Sequence, residues 1–122
     1  MQLGLQALQR DQWTVLHVAG EIDMATSPEL RQRVVSLVAE GANYVIIDLS
    51  AVGFCDSTGL GVLVAVVKRV RTNGGDLRVV TDDPRMIDLF ELTRLDRVFG
   101  VFHRVDDAVA APIGTERDAD DR

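Results

Sequence analysis

Asp56-Ser57-Thr58 runs directly into Gly59-Leu60-Gly61, and this is where side chains able to do chemistry crowd together in the 122-residue sequence. Apolar periodicity begins at this point, so the polar side chains fall at a helix N-terminus. Short polar groups such as Asp56 or Ser57 satisfy the first unpaired amides of a helix there. The glycines need another reason. Each costs about 1 kcal/mol relative to alanine in a helix, and no turn geometry requires both. They predict close approach of another surface to the backbone. Residues 59–67 are apolar or small almost all round, more than a helix lying on a sheet needs, which predicts a docking face. A serine there is either a helix cap or a nucleophile. The nucleophile reading lacks a G-x-S-x-G elbow, and His17 and His103 are its only candidate bases. We read the chain as a non-enzyme.

The remaining chemistry-bearing residues are scattered. Asp23 follows an apolar segment and reads as a solvated or capping loop acid. Cys55 is the single cysteine, with no nearby cation to lower its pKa, and reads as buried filler. Trp13 and Phe54 read as packing residues. His17 and His103 are far apart with no Cys/His cluster, so no metal is expected. The segment 59–64 lacks the third glycine of a dinucleotide loop and any P-loop lysine, so no cofactor is expected.

Composition bounds the partners. The net charge of −6, with no basic stripe, argues against nucleic acid. No apolar run approaches the ~20 residues that span a bilayer, and residues 1–10 have no signal-peptide pattern. With one cysteine and so no internal disulfide, the expected setting is cytoplasmic. The expected partner is another protein or a small molecule, with the chain itself a monomer or weak dimer.

The elements that position these residues follow from periodicity. Segments 3–8 and 13–19 read as a hairpin, broken by Gly20-Glu21-Ile22-Asp23. Ser27-Pro28-Glu29 starts a helix, with Ser27 as N-cap and a face of Leu30, Val34, Leu37 and Val38. The β-branched run 44–49 is apolar on both faces and reads as the central strand. A loop over 50–56 leads to a helix over 57–72, with a stripe of Leu60, Leu63, Val64, Val67 and Val70. Asn73-Gly74-Gly75 stops it. A strand over 77–81 follows, then a helix from Asp83-Pro84 carrying Met86, Ile87, Phe90 and Leu92 or Leu95. A strand over 98–102 and helical turns over 105–111 complete the order ββαβαβαβα. This is an α/β domain over residues 1–111, a mixed sheet of about five strands with four helices packed mainly on one side. Residues 112–122 read as a disordered acidic tail.

Phe54-Cys55-Asp56-Ser57-Thr58-Gly59-Leu60-Gly61 resembles the D-S-[ST]-G-L-G signature of the STAS-domain anti-sigma factor antagonists. Gly20-Glu21-Ile22-Asp23 resembles their G-E-[IL]-D element. Val45-Ile46-Ile47-Asp48-Leu49-Ser50 is similar to their central strand, and Gly74-Gly75 and Leu89-Phe90-Glu91-Leu92-Thr93-Arg94-Leu95 fit in order and spacing. The resemblance runs from about residue 3 to 110. It implies a partner-switching regulator of transcription under stress. The unphosphorylated protein would bind an anti-sigma factor with protein-kinase activity and so release a sigma factor. Phosphorylation at Ser57, or less favourably Thr58, would end the interaction, and a serine phosphatase would reset it. Asp23, Asp56, Ser57, Thr58, Gly59, Leu60 and Gly61 would meet the partner. Related domains also serve as small-molecule modules and as scaffold subunits of stress-signalling complexes, the two alternatives.

Overall fold

A computed structural model describes residues 2–113. Five strands form one sheet in the order β1-β2-β3-β4-β5, with β1 (Gly4–Arg10) antiparallel to β2 (Trp13–Ile22). The parallel part continues through β3 (Tyr44–Cys55), β4 (Asp76–Val80) and β5 (Gly100–Phe102). Helices α1 (Ser27–Ala39), α2 (Ser57–Thr72) and α3 (Pro84–Leu92) pack on one face. The short α4 (Val105–Ala110) covers part of the other. The fold is the mixed α/β sheet that the sequence predicts.

The main core joins Leu30, Val34 and Leu37 of α1 with Leu63, Val66, Val67 and Val70 of α2 over Val45, Ile47 and Leu49 of β3. Val66 is buried where Val64 is expected, and Leu60 is half-buried, because the helix is turned slightly about its axis on the sheet. Leu92 is fully at the surface, 84% exposed, and Leu95 packs in part against the core from a short 3-10 turn.

The second core lies under α4. Trp13, Val15, Ile46, Val80 and Ala108 enclose the fully buried Arg78 of β4. Its guanidinium stacks 4.5 Å above the Trp13 ring and 5.3 Å from that of Phe102. It donates to the carbonyls of Ala108 (2.6 Å), Ala111 (2.7 Å) and Pro112 (2.6 Å). A cation at a helix C-terminus meets carbonyls that have no intrahelical donor. Arg78 therefore ties α4 to the sheet, and nothing in the pattern of residues 77–81 marks it for that role. Of the expected tail, residues 114–122 lie outside those described.

Two strands run further than expected. β2 continues through Gly20 and Glu21 to Ile22, with register shifts at His17/Ala19 and Gly20/Glu21. Gly20, at φ +120°, takes a conformation that suits glycine. β3 likewise continues through residues 50–55, because those residues pair with β2 alone after β4 has ended. The turn signals at 20–23 and 50–56 mark irregular pairing, not the end of pairing. Among the described residues no helix is long and apolar enough to cross a membrane.

Candidate functional site

The register of β2 and β3 builds the site. Ile22 pairs with Cys55, and the amide of Asp56 donates to the Ile22 carbonyl at 3.0 Å. The loop that begins at Asp23 and the helix that begins at Ser57 therefore leave the same end of the sheet from neighbouring strands. Asp23 and Ser57, far apart in sequence, belong to one surface.

Asp56 is the N-cap of α2, in extended conformation, and its Oδ1 accepts from Gly59 N at 3.0 Å. Ser57 and Thr58 occupy the first helical positions with exposed side chains. Both hydroxyls are reachable from solvent, next to amides at the positive end of a sixteen-residue helix.

Gly59 and Gly61 separate in role. A Cβ on Gly59 would lie 2.6 Å from Cys55 Sγ and 2.6 Å from Ile22 Cγ2, so this glycine lets α2 seat on β2 and β3. The close approach predicted at Gly59 is made by the protein's own core. Gly61 is exposed and a Cβ there would meet nothing within 4 Å, so it keeps the outer face of the helix low.

Asp23 holds the neighbouring loop. Its Oδ1 accepts from the amides of Ala25 (2.9 Å) and Thr26 (3.0 Å). Thr26 Oγ1 donates to the Glu21 carbonyl (2.7 Å) and accepts from Asp23 N (3.0 Å). The Thr26 amide above all holds the Asp23 carboxyl below its ordinary range. Thr26, not Ser27, is the N-cap residue of α1, and Ser27 is buried in the first turn. The sequence pointed to Ser27 because a Ser-Pro-Glu start is a strong local signal. The Asp23 turn moves the boundary by one residue.

Two apolar side chains missed as surface groups frame the site. Met24, in the Asp23 loop, is 75% exposed, and Phe54, just before the cap, is 51% exposed. Phe54 does not pack as expected, since the last turns of β3 have no strand on their far side. It lies beside a cleft of about 230 Å³ lined also by Cys55, Asp83, Arg85, Met86 and Leu89. The lone methionine between Asp23 and Ala25 is a sequence signal that could have found Met24. Cys55 is buried, and burial followed by the charge of Asp56 pushes its thiol up to about 11.

His17 and His103 are the candidate bases of the nucleophile reading. His17 Nδ1 is bound to Asp48 Oδ2 at 2.7 Å in the middle of the sheet, and His103 follows β5. His103 leaves the same end of the parallel strands as Ser57 but two strands away from β3, and among the described residues neither histidine is hydrogen-bonded to Ser57. Among the described residues no three His, Cys, Asp or Glu side chains converge as a metal site would require.

The STAS domain family matches residues 5–108. This chain belongs to the STAS family. It is 36% identical over 101 residues to the anti-sigma-B factor antagonist of Bacillus subtilis, spanning 83% of this chain and 92% of that protein. It is 34% identical over 95 residues to the anti-sigma-B factor antagonist of Staphylococcus epidermidis, spanning 78% and 88%. The solved structure of an anti-sigma factor antagonist from Mycobacterium paratuberculosis superposes with a TM-score of 0.80 at 36% identity, covering 88% of this STAS domain chain and 91% of that one.

Proposed function

We propose that this STAS domain is an anti-sigma factor antagonist: unmodified, it binds an anti-sigma factor with kinase activity, and phosphorylation at Ser57 releases it. The observation that carries this reading is an exposed serine at the first position of α2, capped by Asp56, in a chain so similar to named antagonists. The partner meets the exposed Met24, Phe54, Ser57 and Thr58, the half-buried Leu60 and the open backbone at Gly61. Asp23, Asp56 and Gly59 act by holding the two loops in register. The reaction belongs to the partner, which acts in the cytoplasm, and a serine phosphatase restores the hydroxyl.

The switch rests on electrostatics. A phosphoryl group adds about −1.5 to −2 charges near neutral pH. At a helix N-terminus the fold tolerates it, because free amides and the helix dipole favour an anion. Beside Asp56 and among Met24, Phe54 and Leu60, the same charge must be desolvated when a partner closes over it. A loss of about 3–4 kcal/mol lowers affinity several hundredfold. Modification breaks the complex and spares the protein.

The test is intact mass after incubation with ATP and candidate anti-sigma kinases, followed by fragmentation. A single phosphoryl group on Ser57, absent in Ser57→Ala, is the expected result. Ser57→Ala retains binding, whereas Ser57→Glu stays folded and binds at least a hundredfold more weakly. Phosphorylation elsewhere, or full-strength binding by Ser57→Glu, overturns the reading.

A further inference from the structure

The two edges of the sheet are finished differently. β5 is three residues long, and both the 3-10 turn before it and α4 after it pack against it. β1 is seven residues long, Gly-Leu-Gln-Ala-Leu-Gln-Arg, and pairs with β2 on one side only. Exposed edge strands are templates for another chain, and proteins blunt them with short length, proline, bulges, inward charges or a covering element. β1 has no proline, and its register with β2 is unbroken from Gly4 to Arg10. Its only charge, Arg10, stands at its end, bound to Asp106 of α4 at 2.9 Å. Its start is anchored too, since the Leu3 amide donates to Glu29 Oε1 at 3.0 Å. The strand is held in its own sheet, and among the described residues no strand pairs with its outer edge.

We propose that β1 is a homodimerisation edge, joining two copies into one continuous sheet by antiparallel β1–β1 pairing. An edge of backbone groups takes another extended strand, and charge selects a second copy. With a net charge of −6, two copies repel one another overall, so a tolerated twofold contact needs a segment free of acids. β1 carries no carboxylate. With the twofold at Ala7, Gly4 faces Arg10, Leu5 faces Gln9 and Gln6 faces Leu8. No like charges are opposed, the two arginines sit at opposite ends of the ladder, and the half-exposed Leu8 gains a neighbour. A seven-residue pair is small beside the ~800 Å² per partner of stable interfaces, so the dimer is weak, with a Kd of about 0.1–1 mM.

Sedimentation equilibrium of the full chain up to about 2 mM, above the expected Kd, tests this, with two surface double variants. Gln6→Lys/Leu8→Lys sets lysines opposite lysines across the twofold, and Gln6→Glu/Leu8→Glu sets acids opposite acids. Both positions are exposed, so thermal unfolding should match the parent and confirm that each variant is folded. The expected result is a parent dimer, at least tenfold weaker association of each variant alone, and association restored when the two are mixed. A parent that is monomeric throughout overturns the proposal, as does a dimer unaffected by either variant. A monomeric parent whose lysine variant loses binding to the anti-sigma kinase assigns the edge to a different protein and also overturns it.

Discussion

Helices α1 and α2 begin at the same end of the sheet, on neighbouring strands, yet their first turns are completed in opposite ways. At α1, the Asp23 carboxylate and the Thr26 hydroxyl close the loop on itself, and both Thr26 and Ser27 are buried. At α2, Asp56 makes one cap bond to Gly59, and Ser57 and Thr58 stand in solvent. Four hydroxyls lie at two helix starts. The Thr26 hydroxyl is hydrogen-bonded into its loop and Ser27 is buried, whereas Ser57 and Thr58 stand open to solvent. An exposed serine at a helix start thus differs from a buried one in what already occupies its surroundings, not in its distance from the helix N-terminus.

Three experiments break or sharpen this contrast. The largest effect is expected within α2, between its glycines. Gly59→Val forces a side chain into Cys55 and Ile22 and should destabilise by about 3 kcal/mol, as overpacked cores do. Gly61→Ala meets nothing and should stabilise by up to about 1 kcal/mol through helix propensity. Urea denaturation separates them, and equal effects would mean that α2 is not seated as described.

The next effect compares threonines. Thr26→Val leaves the Glu21 carbonyl and the Asp23 amide without their partner in a part-buried loop, which should cost about 1–2 kcal/mol. Thr58→Val, at an exposed site, should stay within about 0.5 kcal/mol. Thermal melts of the pair measure the difference, and a neutral Thr26→Val would dissolve the distinction between the two helix starts.

The smallest effect depends on pH. The Asp23 carboxyl is held below its ordinary value of 3.8, chiefly by the Thr26 amide. Its folded pKa is therefore lower than its unfolded one, so the stabilisation is complete above about pH 4. It is lost as pH falls through the folded value. Asp23→Asn keeps an acceptor oxygen and removes the charge. Its stability should trail the parent at neutral pH and converge with it in strong acid, as acid and thermal titrations of the two proteins can show. A gap that persists at low pH would assign the role of Asp23 to geometry alone.

Residues 44–49, β-branched and of strand length, read as the buried central strand. The Asp-Ser-Thr-Gly-Leu-Gly run could only be the start of a helix with reactive groups at its head. These readings are local, and local patterning of apolar and capping residues was sufficient for them. The ends of β2 and β3 were hidden, because Gly20 and Gly53 carry turn signals in segments whose pairing comes from a strand distant in sequence. The same holds for Phe54, whose exposure depends on β4 stopping opposite Asp48. It holds for Gly59 as well, since the atoms that exclude its Cβ belong to Ile22 and Cys55.

By itself, then, the sequence determined the element order, the central strand and the helix start that presents Ser57. The tertiary structure alone decided which glycine packs inside, which hydroxyls stand open to solvent and where Arg78 is buried. Each of those outcomes depends on contacts between segments far apart in the chain, and the periodicity of a single segment carries no record of what will lie against it.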